Sequence, residues 1–506
     1  MQLQHWLKKE QKTEINLRTL IIITSAVLIA STAAVAALFW WLDRPVPAYI
    51  TPGLPGQDNA PKARSPGEKV EIGKFFKKFS DDYDRSLTGE WGQFRGRDSS
   101  NICRDGIPLA DAWPRQGPRI LWSQKLGEGH AAAAIYKGRV FVLDYIEELK
   151  ADMLRCFSLD DGHELWRRWY IVDVKRNHGR SRTVPAVNEN VAVTIGPKCQ
   201  VMCVNSGSGD LLWGIDLIAE YGSIVPQWYT GQCPLIDGSA VVLAPAGKDV
   251  LLMGVDAVSG KVLWKTPNPS GWKMSHSSVV PMTFYGHRMY VYCALGGIAG
   301  ISAEPQDAGK ILWESSAWSP SVVAPSPQQL PDGMVFAAAG YGFGCVTLKI
   351  KHESDGTFKA EVVKSFNPRQ ALSLEQQSPI LYNNTIYGIR PKDAGDGRCQ
   401  LTGANPGNVA EFIYASGREL RFGLGPFIVA DNKFYVLDDN GTLTMMKIEG
   451  ADGKILGSQR IIEGNDAWGP LAVADGRMIL RDLNQMVCID LTGKIEVQGK
   501  VKNGKE

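Results

Sequence analysis

Four segments of the chain share one pattern, G-x-x-L-W: Gly162 to Trp166, Gly209 to Trp213, Gly260 to Trp264 and Gly309 to Trp313. Their tryptophans fall 47, 51 and 49 residues apart, a period that fits one four-stranded propeller blade. A unit of that length cannot bury its apolar face alone, so the repeat commits the chain to an array in which neighbours cover one another.

The interior of a unit supports this. In the third, Pro234 to Gly238 opens a short strand, Ala240 to Ala244 forms a second, Val250 to Asp256 a third and Lys261 to Lys265 a fourth. Short runs rich in Val, Ile and Leu between Gly and Asp turns are strand and hairpin signals. Units begin near His130, Arg182, Gly231, His276, Val322, Gln376, Gly423 and Ala467, and the last three keep Ser378-Pro379, Gly425-Pro426 and Gly469-Pro470 at the first strand. The spacing therefore predicts an all-β, eight-bladed propeller over residues 89–506. The eighth unit has only three clear strands, and Gly117 to Leu126, from the other end of the repeat region, is available as its fourth. Such pairing closes the ring and leaves no open sheet edge.

Composition excludes other classes. With 44% hydrophobic and 21% charged residues the 506-residue chain is not mainly disordered, and 55 basic against 53 acidic residues give no field that would recruit nucleic acid. The nine cysteines lack the paired CxxC spacing of a zinc site and suggest neither a disulfide framework nor a structural metal.

Ahead of the repeats, residues 19–42 form 24 uncharged positions ending in Phe39, Trp40 and Trp41. As a helix they reach about 36 Å, enough to cross a bilayer. Lys8, Lys9, Lys12 and Arg18 precede them, so residues 1–18 are expected in the cytoplasm and the rest on the extracytoplasmic (periplasmic) side of the inner membrane. Ala34-Val35-Ala36 leaves a cleaved signal peptide as the competing reading. Residues 43–88 read as a Pro-rich linker ending in a basic amphipathic stretch, Val70 to Phe79, suited either to an anionic lipid surface or to a helix packed on the domain.

Blades that end in a turn such as Val255 to Trp264 resemble the repeat of the pyrroloquinoline-quinone β-propellers. That family includes quinoprotein alcohol dehydrogenases and the propeller lipoprotein of the outer-membrane barrel-assembly machinery. The segment Trp91-Gly-Gln-Phe-Arg-Gly96, with Trp113-Pro114, Leu121-Trp122 and Gly138 to Phe141, is similar to the opening of a bacterial subgroup of it. The resemblance implies that Trp122, Trp166, Trp213, Trp264 and Trp313 stack between blades as structural docking. It also implies a test for a cofactor: the dehydrogenases hold the quinone on a disulfide of adjacent cysteines and bind calcium through a Glu, Asn and Asp set. This chain has no Cys-Cys pair, and no blade carries a matching acidic set.

Two features bear on cofactors and packing. Cys156 and Cys203 lie six residues before a turn glycine, where the next unit has Gly254, which marks a small packed position. Gly340 to Gly344 is glycine-rich but has no helix after it, so a phosphate cradle is not indicated.

One polar constellation remains. His130, Arg182, His276 and Gln376 fall at equivalent positions, two before the residue that opens the first strand, and first strands line a propeller's channel. Trp228-Tyr229, Trp272, Trp318, Phe422 and Trp468 come just upstream. The expected binding mouth comprises His130, Arg182, Trp228, Trp272, His276, Gln376 and Trp468, with aromatics that simply plug the channel as the alternative. The sequence thus reads as a membrane-anchored binding or assembly scaffold without catalytic residues, metal or cofactor, and with a protein or small-molecule ligand at the propeller face. The alternative is a quinone-dependent dehydrogenase using pyrroloquinoline quinone and calcium.

Overall fold

The computed structural model describes residues 17–42, 69–463 and 466–494. The expected cytoplasmic terminus up to residue 16, most of the Pro-rich linker and the last charged residues lie outside them. The chain divides into two units, Met1–Pro55 and Gly56–Glu506. In the first, one helix, Leu17–Leu42, is long and apolar enough to cross a membrane. It carries Ala34-Val35-Ala36 without a break.

In the second unit eight sheets follow one another, antiparallel except where Ile102–Cys103 adds in parallel to Phe427–Ala430. In chain order, blade 1 covers residues 134–171, blade 2 186–216, blade 3 235–267, blade 4 280–315, blade 5 328–366, blade 6 380–415, blade 7 427–460 and blade 8 472–490. Blade 8 has three strands of its own. Its fourth is Ile120–Lys125, paired from Gln485↔Lys125 to Ile489↔Ile120. The two ends of the repeat region are thereby hydrogen-bonded together and the ring closes.

The G-x-x-L-W motif spans the seams. Trp122 of blade 8 lies against Gly162 of blade 1, Trp166 against Gly209 of blade 2, Trp213 against Gly260 of blade 3, and Trp264 against Gly309 of blade 4. In each case a β-carbon on the glycine would come within 2.5–2.8 Å of the indole. Trp122 and Trp213 also donate their Nε1 protons to the carbonyls of Leu159 and Ala257, both at 2.9 Å. Trp313, where the motif ends, is buried beside Met289. Within its own blade each indole faces a small residue on the neighbouring strand: Cys156↔Trp166, Cys203↔Trp213, Gly254↔Trp264, Gly300↔Trp313 and Cys488↔Trp122. The alternation of Cys and Gly follows from this register, because only a small side chain leaves room for the ring.

Nearer the axis a second device joins the blades. Two residues ahead of the first strand in blades 2 to 6, the backbone N–H of one blade donates to the side chain of the equivalent residue in the next. Val184 N–H donates to Cys233 Sγ (3.2 Å), Cys233 N–H to Ser278 Oγ (2.9 Å), Ser278 N–H to Ser326 Oγ (3.1 Å) and Ser326 N–H to Ser378 Oγ (2.9 Å). Gly425 and Gly469 hold these positions in blades 7 and 8, and the chain of bonds ends there.

The stretch expected as a lipid-facing segment or a packed helix is not a helix in this structure. Phe75–Lys78 is a strand added to the outer edge of blade 1, from Phe75↔Trp169 to Lys78↔Trp166. Phe75 stacks on Trp169 at 5.6 Å, and its neighbour Phe76 lies over Trp166 at 6.4 Å. The strand is held by this edge pairing and by the ring contacts rather than by an apolar-basic alternation, since its sequence reads Phe-Phe-Lys-Lys with all four residues exposed. Cys199 lies outside the strand that carries Cys203, in the turn before it with φ +65°.

Candidate functional site

One face of the ring carries the hairpins between second and third strands together with the crossings from blade to blade. The polar constellation lies here and falls into two groups that share one atom. The carbonyl of His178, a residue at φ +49°, accepts from Arg182 Nη2 and lies 3.1 Å from His130 Nε2.

In the first group Arg182 also donates to the carbonyls of Trp228 (Nε, 2.5 Å) and Asn177 (Nη2, 2.8 Å). Its bonds all go to carbonyls, and no carboxylate among the described residues pairs with it. Burial draws the guanidinium down to about 10, which leaves it charged at neutral pH. His276 lies 5.8 Å from the Trp228 ring. Burial, with the charge of Arg182 behind it, draws the imidazole down to about 3. Gly231, the equivalent residue of blade 3, makes room for it, since a β-carbon there would stand 2.9 Å from His276 Nδ1. The other face of Trp228 is covered by Tyr341, stacked at 5.6 Å and 25°.

In the second group His130 stacks on Trp468 at 5.0 Å. Burial first, then Arg182 and Arg481, keeps this imidazole well below its usual range. Trp468 donates Nε1 to Asp439 at 3.0 Å. Its carbonyl accepts from Gln377 Nε2 (3.2 Å), which also reaches the Leu424 carbonyl (3.3 Å). Gln376, expected at the mouth, is half-buried beside it. Trp272 does not join either group: it is 5% exposed and packs in the core against Gly296 and Gly297. Trp318 and Phe422 are likewise core residues.

Tyr341 was missed. It stands at the tip of the blade 5 hairpin, which reaches over blade 3's crossing, and the signal available was Gly340-Tyr-Gly-Phe-Gly344, a tight turn rather than a cradle. The Gly342 N–H donates to Asp393 of the blade 6 hairpin at 2.7 Å and fixes the loop. Also unforeseen is a cleft of about 410 Å³ on this face between blades 8 and 1, lined by Glu128, Asp144, Glu147, Arg155 and Arg180 among others. Several of its charges pair within the protein, Arg155 with Asp144 (3.0 Å) and Arg180 with Glu147 (2.7 Å).

Neutral imidazoles, an arginine bonded to carbonyls and stacked rings can hydrogen-bond and stack, but they supply no nucleophile with a base behind it. The fit to a quinone and calcium is poor as well. The nine cysteines are free thiols, no three metal-ligating side chains converge among the described residues, and Tyr341 already covers Trp228.

A closed eight-bladed ring with inter-blade tryptophan docking is the class of protein that these features define. A family profile of the pyrroloquinoline-quinone repeat, described as outer membrane protein assembly factor BamB, matches residues 150–393. Solved structures include quinohemoprotein alcohol dehydrogenase ADHIIG from Pseudomonas putida HK5, at 11% identity, 83% of each chain covered and a TM-score of 0.52. The quinohemoprotein alcohol dehydrogenase of Comamonas testosteroni matches at 11% identity over 82% of each chain, TM-score 0.52. BamB from Moraxella catarrhalis matches at 13% identity over 74% of this chain and 99% of that one, TM-score 0.47. No curated protein matches the chain. The chain is an eight-bladed β-propeller whose residues 150–393 match the quinone-repeat profile, and likeness at such identities speaks for the fold alone.

Proposed function

We propose that the protein is a scaffold tethered to the inner membrane by its N-terminal helix, with the propeller on the extracytoplasmic side and the crossing face binding a protein partner. The observation that carries this reading is the blade 5 hairpin. Tyr341 stacks on Trp228, while Phe343, two residues on, is 42% exposed. Leu149, Ile171 and Ile224 are exposed on hairpins and crossings of the same face. Apolar residues around an interlocked polar centre suit a protein surface more than a buried small molecule. The reading needs no bound quinone, and the assembly factor named by the family profile is consistent with it.

The experiment is site-specific photo-cross-linking in native membranes from positions 343 and 376 of the full chain. A protein adduct from both, absent when the probe is placed at Lys359 on the opposite face, is expected. Pyrroloquinoline quinone with calcium, added to purified protein, should give neither a bound-cofactor spectrum nor dye reduction with alcohols. Dye reduction would overturn the scaffold reading in favour of a dehydrogenase. A reporter fused after Glu506 should be extracytoplasmic and membrane-bound; a soluble product cut near Ala36 would replace the anchor with a signal peptide.

A further inference from the structure

The opposite end of the axis is closed by residues 91–101, an arm that visits most of the ring. Trp91 pairs with Ile135 in blade 1, the Gly92 carbonyl accepts from Val187 N–H in blade 2 (2.6 Å), and Gln93 Oε1 accepts from Ile236 N–H in blade 3 (3.3 Å). Asn101 Nδ2 donates to the Phe427 carbonyl in blade 7 (3.4 Å). Between them Arg95, at φ +67°, donates through Nη2 to Gln328 Oε1 in blade 5 (2.9 Å) and to the Pro379 carbonyl in blade 6 (2.6 Å).

Arg95 is 1% exposed, and its Nε and Nη1 have no partner among the described residues. No carboxylate pairs with it there. Asp98, the acid whose field it feels, is itself bonded to Arg104 and to the Ser100 hydroxyl. Burial lowers Arg95 only to about 10, so it keeps its proton at neutral pH. A buried cation without a counter-charge is strongly unfavourable. Beside it lies a cavity of about 10 Å³ lined by Arg95, Gln93, Ser99 and Ser278 among others, room for one particle of water size. Ser278 turns its Oγ toward the same cavity wall, where it accepts from Cys233 N–H.

We propose that a single small monovalent anion of the chloride class binds beside Arg95, in the cavity between the arm and blades 3 and 4, with the guanidinium and the Ser278 hydroxyl as its donors. A water would satisfy the hydrogen bonds but not the charge, and the cavity is too small for sulfate or phosphate. The anion would lock the arm to the ring, since Arg95 is where the arm meets blades 5 and 6.

The test uses the full chain in detergent. Crystals grown in bromide should show an anomalous peak within hydrogen-bonding reach of Arg95 Nε or Nη1. The melting temperature should rise saturably with chloride or bromide, by at least about 2 °C over gluconate at equal ionic strength. Ser278→Ala should weaken the halide dependence, and Arg95→Met should abolish it. A native crystal with no bromide peak beside Arg95, or equal melting in halide and gluconate, overturns the proposal; in the first case a water occupies the cavity.

Discussion

Across the seam between blades 2 and 3, the indole of Trp213 occupies the space that a β-carbon on Gly260 would need, 2.6 Å from the ring's Cγ. Both residues come from the same five-residue motif in successive repeats, so the motif describes one inter-blade joint rather than a feature of either blade. Gly260 is required twice, by this approach and by its φ of +70°.

Gly260→Ala should therefore cost more than Gly286→Ala. Gly286 has a similar φ of +79° but nothing within 4 Å of an added β-carbon, so it bears only the left-handed penalty of about 1–2 kcal/mol. Trp213→Ala should cost about 3–5 kcal/mol through the cavity it leaves. Urea unfolding of the three variants measures the order, and equal losses for the two glycines would remove the docking argument.

Ring closure predicts an asymmetry between two deletions. Removing residues 115–126 takes away the fourth strand of blade 8 together with Trp122, and exposes the backbone of Gln485–Asp490. That protein should aggregate or lose cooperative melting. Removing residues 69–79 uncovers an edge strand of an otherwise complete blade and should lower the melting temperature while leaving the transition cooperative.

The hydrogen bonds along the axis can be tested at one seam. Ser326→Ala leaves the buried Ser278 N–H without its acceptor and should cost about 1–3 kcal/mol. Ser326→Cys restores an acceptor, as Cys233 does for Val184, and should recover part of the loss. Denaturant titration of both variants checks this; equal stability of the Ala and Cys forms would mean that the side chain matters only for its volume.

Two buried groups give opposite pH dependences. Asp152 is buried beneath Tyr170 and Ser181, whose hydroxyls donate to it, yet burial raises it to about 7. Its folded-state pKa lies above the unfolded value, so stability falls as pH rises from about 4 to 7. His276, lowered to about 3, loses stability as pH falls from about 6.5 to 3. Asp152→Asn should stabilise the protein above pH 7, by at most about 4 kcal/mol. His276→Gln should flatten the acid limb. Melting temperatures from pH 4 to 8 would show both, and a native-like profile for Asp152→Asn would mean that the carboxyl is not held neutral.

The repeat period fixed blade number, blade boundaries and the strand that closes the ring, because each depends on local spacing that the sequence displays directly. The small residues facing the tryptophans were visible too, as a Cys, Cys, Gly column whose cause needed the strand register. What stayed hidden, ring closure apart, was which side chains of blades distant in sequence would touch. Nothing near Tyr341 names Trp228 as its partner, nor does the Trp91 to Gly96 segment announce that Arg95 will lie on the axis. Trp272 and Trp228 look alike as crossing-loop aromatics and both are buried, yet one packs in the hydrophobic core and the other stacks on Tyr341 and lies tilted against His276. A repeat states what each unit does with its neighbour; which side chains meet at the axis is decided only when eight units close and their loops converge.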